Sequence, residues 1–394
     1  MRIGIAYPEY GRDRGIERIS AEGALSAARA GHRVEYYCTR HSDAGHPNIA
    51  FHTIPDRFRR NALSIAHFAR VARRKLGESG VDVSHSFGGV IGCDVVSAQS
   101  CHRAGMAASK PRSGEIREEV NLGVADRIRL FLENQNFGKR QYRRIVACSQ
   151  RVKRELCSLY DVPGGDITVV LNGVDLVAFQ PDVCRAGRSE SREKFGVREN
   201  DFLLLFAGHE FARKGLQTVL EAMRLMSDPS IRLLVAGGGR AEQYMRFARR
   251  AGIQDQVTFA GHVKDMARLF GAADLFVFPT LYEAFGLVIT EAMASGIPVL
   301  VSASAGAAEE LIRDGQDGML ISNPRDSHEV AGKIRTIKEN RELRWTLSSL
   351  GRLRVLQTGW EEYGRGLLAV YEEVLALKKA EGTRTSHADS ALQS

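Results

Sequence analysis

Two glutamates, Glu283 and Glu291, stand eight residues apart in LYEAFGLVITEAMASGIPVL (281–300), with Phe285 and Gly286 just after the first. Paired carboxylates suggest acid–base chemistry at one bond. Eight helical residues span about 12 Å, however, and carboxylates that flank a glycosidic bond sit about 5 to 9.5 Å apart. The spacing suits the two ends of a long ligand better than one reacting atom. An apolar strand, LFVFPT (275–280), ends just before Glu283, and the loop Glu283–Gly286 then enters an apolar helix. A helix start offers unpaired N–H groups and the positive end of a dipole to an anion. Gly286 lets a phosphate approach without a Cβ in the way, towards the amides of Phe285, Gly286 and Leu287. Glu291, inside the helix, can accept hydrogen bonds from both hydroxyls of a ribose, while Glu283 stands in the loop at the far end of a diphosphate.

A second stretch, FAGHEFARKGLQTVL (206–220), places Arg213 and Lys214 at the start of another helix, followed by Gly215. A guanidinium fork beside a compact ammonium suits a pyrophosphate. Taken together, the two stretches describe a site for a nucleotide diphospho-sugar.

Positioning such groups requires strands that end at loops, and the chain supplies them twice. RIGIAY (2–7), a helix over 16–31 and HRVEYYCT (32–39) form a β-α-β opening, which implies a parallel sheet. Further strands are expected over 81–88, 93–100, 144–149 and 167–175, with an Arg-rich helical region over 124–143. Residues 180–197 are polar and weakly patterned, so a linker is expected at 183–197. The alternation then restarts with FLLLFAG (202–208), IRLLVAGGG (231–239), VTFAG (257–261), PVLVSAS (298–304) and GMLIS (318–322). The expected organisation is an α/β chain of two doubly wound Rossmann-like domains, 1–182 and 198–355, facing across a cleft. A final helix (356–379) returns to the first domain, with hinges near 180–197 and 352–360, and a polar tail (380–394) is expected to be disordered.

The 394 residues are 44% hydrophobic and 26% charged, an ordinary globular balance. The first residues show no signal-peptide pattern and no run of 18 apolar residues occurs, so a cytoplasmic protein is expected. Six cysteines lack any CxxC or metal-ligand spacing. The net charge of +8 lies wholly in residues 1–180, with 27 Lys and Arg against 19 Asp and Glu; the remainder balances at 28 of each. Such asymmetry points to an anionic partner for one half. Nucleic acid is excluded as that partner, because no nucleic-acid module and no aromatic–basic interleaving is present. An anionic membrane surface fits better. RFRRNALSIAHFARVARRKL (57–76) carries seven basic residues and reads as an amphipathic helix, with Phe58, Ile65, Phe68 and Ala72 on one side and Arg70, Arg73 and Arg74 reaching outward.

Over nearly its whole length the sequence resembles the retaining GT-B glycosyltransferases of family 4, and within them the lipopolysaccharide-core glucosyltransferase-like members. The likeness rests on Glu283-x7-Glu291 with its FG, on RKG (213–215), LNGVD (171–175), AGGG (236–239) and GIPVL (296–300), in this order. It implies that the second domain binds the sugar nucleotide, with UDP favoured over GDP. Arg213 and Lys214 would stabilise the leaving diphosphate without a metal or other cofactor, which agrees with the lack of an Asp-x-Asp motif. Glu291 would hold the ribose, Glu283 the donor sugar, and the Phe285–Leu287 amides the β-phosphate. Where many members carry Arg after the glycine ending the domain's first strand, this chain has His209. YPEYGRDRGIERIS (7–20) lies where the family has a Gly-rich loop contacting the donor phosphate and acceptor. Many members have Gly-Gly, and here Arg14-Gly15 stands, with Gly15 suited to backbone contact with the donor and Glu17 or Arg18 able to face the cleft. His102, in SAQSCHRAG (97–105), is the candidate beside the reaction centre, with Ser100 as its neighbour. The acceptor expected is a saccharide or a lipid-linked sugar of cell-envelope polysaccharide or lipopolysaccharide, which would place the protein on the inner face of the cytoplasmic membrane. Two other readings stay open: a sugar-nucleotide 2-epimerase of the same architecture, and a non-catalytic protein that binds an anionic surface.

Overall fold

The computed structural model describes every residue except 12–14, 43–44, 59–60, 111–114, 117–122 and 392–394. The chain divides into two compact units. The first comprises Met1–Arg103, Leu122–Asn172 and Trp360–Ser394, and the second Ala104–Asn121 and Gly173–Gly359.

In the first unit the strands are β1 (Arg2–Ala6), β2 (Glu9–Tyr10), β3 (Arg33–Cys38), β4 (Arg40–His41), β5 (Ile49–Thr53), β6 (Val83–Ser86), β7 (Val95–Ala98), β8 (Arg144–Ala147) and β9 (Ile167–Val169). The main sheet is parallel, in the order β5-β3-β1-β6-β7-β8-β9; β2 and β4 form a small ribbon of their own. Ile3, Ile5, Val34, Tyr36, Val95, Val96 and Ile145 have no exposed surface. Apolar runs of this kind are what a sheet covered on both faces demands. The helices are α1 (Gly15–Arg29), α2 (Ala62–Glu78), α3 (His102–Ala108), α4 (Val124–Glu133) and α5 (Gln150–Tyr160); a π-helical turn continues α4 to Gly138.

The second unit holds α6 (Pro181–Arg185), α7 (Arg188–Lys194), β10 (Phe202–Ala207), α8 (Leu216–Met226), β11 (Ile231–Ala236), α9 (Ala241–Arg250), β12 (Val257–Gly261), α10 (Met266–Ala272) and β13 (Leu275–Phe278). It continues with α11 (Leu287–Ala294), β14 (Val299–Ser302), α12 (Gly306–Leu311), β15 (Met319–Ile321), α13 (Ser327–Glu339) and α14 (Arg341–Val355). Its parallel sheet runs β12-β11-β10-β13-β14-β15. That is the doubly wound order, in which the winding reverses between β10 and β13, and such a switch point is where ligands bind in open α/β sheets. The chain's last helix, α15 (Trp360–Ala391), belongs to the first unit. It packs on α1 so closely that a Cβ at Gly364 would lie 2.5 Å from the side chain of Ser26.

Three expectations are corrected. Residues 183–197 are not a linker, because α6 and α7 occupy them. Their polar look comes from Arg188 and Arg192, which point into the fold. Arg188 donates to the carbonyls of Gly271, Ala272 and Ala273, and Arg192 to those of Ala272, Arg198 and Asp201; both also pair with Asp274. The units meet in sequence at Asn172/Gly173 and Gly359/Trp360, and residues 104–121 join the second unit, held by Arg325 Nε donating to Glu115 (2.6 Å) and the Ile116 amide donating to Gln217 (2.7 Å). The backbone of α15 stays helical through 380–391, since extending a packed helix is far easier than nucleating one.

Within the first unit a fully buried polar contact ties α15 to the sheet. His85 of β6 shares one hydrogen bond with the Tyr371 hydroxyl (2.7 Å) and another with Ser97 Oγ (2.8 Å). Burial pushes the His85 pKa down to about 3. The unfolded chain, with an ordinary histidine near 6.5, therefore binds the extra proton between those values, so this stability is present above pH 6.5 and is lost as pH falls toward 3. From pH 7 to 5 the group should remove about 2 kcal/mol of stability. Urea unfolding across that range should show the slope, and His85→Leu, less stable at pH 7, should show a flatter one.

Candidate active site

The predicted cationic pair is carried by the turn that leaves β10, and the Glu283 loop leaves its sheet neighbour β13. Both therefore stand at the switch point, although 69 residues separate Lys214 from Glu283. The two loops are locked together by backbone. The Leu281 amide and the Thr280 hydroxyl both donate to the Arg213 carbonyl, at 2.8 and 3.3 Å. Gly215 caps α8 at φ +79°, and a Cβ there would lie 2.0 Å from the Pro279 carbonyl oxygen. The glycine of RKG thus serves the contact between loops. Gly286 caps α11 at φ +102°, a left-handed conformation that side chains avoid. The loop after β14 secures the far side, with the amides of Gly306 and Ala307 donating to the carbonyls of Glu283 and Phe285 at 3.0 and 2.8 Å.

Within this frame Lys214 Nζ donates to Glu283 Oε2 and lies 5.4 Å from the centre of the Phe278 ring. Only 10% of the Lys214 side chain and 17% of the Glu283 side chain are exposed. Burial lowers the Lys214 pKa, with the Glu283 carboxylate working against it, and the ammonium ends below its ordinary value. Arg213 is held on two sides: Nη1 donates to the Tyr282 carbonyl (2.7 Å), while Nε (3.0 Å) and Nη2 donate to Glu210 Oε2. Burial acts to raise the Glu210 carboxyl, but the bond to and charge of Arg213 outweigh it, so its pKa falls below the ordinary range. Glu291 is half-buried in α11, and Phe285 and Gly286 are buried ahead of it, with Leu287 opening the helix. The first amides of α11 have no acceptor one turn back within the helix, as at any helix start.

The structure thus brings together Arg213, Lys214, Glu283, Phe285, Gly286, Leu287 and Glu291. It adds Glu210, Thr280 and Tyr282, which sequence reading passed over. Glu210 had a visible signal, since a carboxylate three residues before an arginine is an ion-pair spacing. Tyr282 acts through its backbone carbonyl and Thr280 through a hydroxyl donated to backbone carbonyls, and neither left one.

Gly15 and His102 belong to the first unit. Gly15 is exposed at the start of α1, and a Cβ there would meet nothing within 4 Å. Packing within the fold therefore does not require glycine at this position. Arg14 lies outside the described residues, and Arg18 stacks over Trp360, 5.4 Å from the ring centre. His102 is half-buried as the first residue of α3. Its Nε2 lies 3.3 Å from Asp126 Oδ1, and its amide donates to the buried Glu133 (2.5 Å), which also accepts from the Arg103 amide (3.1 Å). Asn172 of LNGVD donates to the Gln99 side chain (2.9 Å), a long-range contact, while Asp175 accepts from the amides of Val177 and Ala178 (3.2 and 2.9 Å) and so holds the local backbone.

The description Glycosyl transferases group 1 fits residues 187–354, and Glycosyltransferase Family 4 fits residues 14–177. The chain belongs to the family 4 glycosyltransferases. As a family 4 chain it has the GT-B fold: it superimposes on WaaG, a glycosyltransferase involved in lipopolysaccharide biosynthesis, with a TM-score of 0.78 at 21% identity, over 94% of this chain and 99% of that one. Anabaena Alr3699/HepE, solved in complex with UDP-glucose, gives a TM-score of 0.71 at 19% identity, over 95% and 100%. The D-inositol 3-phosphate glycosyltransferase of Thermomonospora curvata is 35% identical over 246 residues, 58% of this chain and 56% of that relative. This family 4 chain spans about half the length of the curated relatives it matches.

Removing Glu283 would leave the Lys214 ammonium buried without its carboxylate. Glu283→Ala should therefore cost about 3 kcal/mol of stability, the usual scale for breaking a buried pair from one side. Adding Lys214→Met should recover most of that loss. Urea unfolding of the two variants checks both signs.

Proposed function

We propose that this chain is a retaining, metal-independent hexosyltransferase. It moves a sugar from a nucleotide diphosphate sugar to a saccharide or lipid-linked acceptor of cell-envelope polysaccharide or lipopolysaccharide. The observation that carries this reading is the meeting of Arg213, Lys214 and Glu283 with the start of α11 at the switch point of the second unit. Two cations and a helix N-terminus converge where a diphosphate would lie. In the reaction the bond between the anomeric carbon and the β-phosphate oxygen breaks, and its electron pair passes to that oxygen. Arg213, Lys214 and the first amides of α11 stabilise the growing charge. The acceptor hydroxyl attacks from the face the phosphate leaves, and the departing phosphate takes its proton. Glu283 orients the donor sugar and keeps Lys214 in place; Glu291 holds the ribose. Gly15 serves as a backbone contact for the donor, and His102 acts beside the reaction centre.

UDP is the favoured nucleotide, in keeping with the fold shared with a protein solved with UDP-glucose; GDP is the alternative. Thermal unfolding with UDP, GDP and ADP tests the base, since a ligand at about 100 times its Kd raises stability by roughly 2.7 kcal/mol. Arg213→Ala or Lys214→Ala should lower kcat by about 10²–10³, the usual scale for one lost donor to a developing anion. Glu291→Ala should act chiefly on donor KM. Near-native turnover in both cationic variants would move the diphosphate site elsewhere.

The acceptor is read as one presented at an anionic membrane. The apolar side of α2 does not support this: Phe68, Ala69, Ala72 and Leu76 are buried, Leu76 packs beside Gly4 of β1, and Phe58 precedes the helix. Support comes from a groove of about 780 Å³ between α2 and α4. Arg70, Arg73, Arg74 and Arg127 rim it, and α4 lends it Val124 and Phe131, which are 61% and 56% exposed. Basic groups beside exposed apolar side chains suit an anionic lipid interface. The likeness to an inositol phosphate glycosyltransferase favours a second reading, a soluble phosphorylated acceptor. Vesicle co-sedimentation separates the two. Binding to anionic vesicles alone, weakened by salt and by charge reversal at Arg70, Arg73 and Arg74, is expected; equal or absent binding to anionic and neutral vesicles favours the soluble acceptor.

A further inference from the structure

We propose that Glu210 is an internal counter-anion of the diphosphate site. Its carboxylate holds the outer edge of Arg213 until the donor's diphosphate displaces it, and it recovers that edge when the nucleoside diphosphate leaves. This rests on the nucleotide-sugar reading given above.

A guanidinium has five N–H groups, and the protein engages Arg213 from two different sides. On the inner side, Nη1 donates to the carbonyl of the buried Tyr282 at 2.7 Å. On the other side, Nε and Nη2 both donate to a single oxygen of Glu210. The Arg213 side chain is 20% exposed and the Glu210 side chain 60% exposed, so this carboxylate approaches from solvent. The neighbouring pair contrasts with it, since Lys214 and Glu283 are both largely enclosed. One carboxylate is built into the site and the other is laid over it.

Two properties make the outer carboxylate exchangeable. An exposed ion pair is worth at most about fivefold in an equilibrium constant, and a phosphate meets the same guanidinium fork with more charge. The backbone need not move either, because the Glu210 carbonyl stays bonded to the Lys214 amide (2.9 Å) while the side chain rotates away. With Glu210 in place the formal charges of Glu210, Arg213, Lys214 and Glu283 cancel; with it rotated out, the site presents one net positive charge to the diphosphate. Glu210 thereby keeps Arg213 paired between turnovers and weakens the hold on the product diphosphate.

Calorimetric titration of UDP and of inorganic pyrophosphate into the wild type, Glu210→Gln, Glu210→Ala and Arg213→Ala tests this. Both Glu210 variants should bind both ligands about three- to fivefold more tightly, with a steeper salt dependence and an unchanged melting temperature without ligand. Arg213→Ala should bind both more weakly. In turnover, Glu210→Gln should lower the donor KM and also kcat, because the diphosphate leaves more slowly. Weaker or unchanged binding in both Glu210 variants, while the wild type binds and Arg213→Ala does not, overturns the proposal and leaves the nucleotide-sugar reading standing. A wild type that binds neither pyrophosphate nor UDP, GDP or ADP overturns that reading and this proposal with it.

Discussion

A buried ammonium facing a largely enclosed carboxylate is the constraint around which the second unit is organised. Each charge alone would be costly to enclose, and together they are tolerable only at short range and fixed geometry. Lys214 and Glu283 come from turns on adjacent strands, so their pairing requires the backbones of those turns to touch. That contact in turn requires a residue without a side chain at position 215, where a Cβ would lie 2.0 Å from the Pro279 carbonyl oxygen. Phe278 supplies a ring face 5.4 Å from the ammonium. An enclosed ion pair, an ordered helix start and a tight turn are therefore one structural solution.

Much of this could be read in the residues. The alternation of apolar strands and periodic helices specified two parallel sheets, because a strand buried on both faces needs a continuous apolar run such as FLLLFA. That RKG and the Glu283–Glu291 stretch stand in loops that follow strands was legible from the apolar runs FLLLFA and LFVF before them. What stayed hidden was pairing in space. Residues 183–197 looked like a linker since Arg188 and Arg192 are charged, and nothing in a linear pattern reveals that their guanidinium groups cap the carbonyl end of α10. Residues 104–121 join the second unit through contacts more than a hundred residues away in sequence. His102 could be placed only as a residue following a strand; that its amide would be held by Glu133, thirty-one residues on, is a fact of tertiary structure.

The first unit shows how a basic composition distributes itself. Arg143 and Arg144 are absorbed in ion pairs with Glu381 and Glu373 on α15, and Arg18 lies on Trp360. These arginines help to fasten the last helix. Arg70, Arg73 and Arg74 on α2 are exposed instead, beside the apolar residues of α4. A single excess of positive charge thus serves both internal fastening and outward presentation.

The return of α15 to the first unit has a consequence for how the molecule is made. A ribosome releases residues 1–172 long before Tyr363, Leu367 and Tyr371, which fill the first unit's core from the far end of the chain. Until they arrive, His85 lacks its tyrosine partner and the face of α1 around Gly23 is uncovered. The second unit, whose chain is complete by Gly359, can close while the first still waits. The first unit thus depends, for the covering of its core, on residues made only after the whole of the second unit.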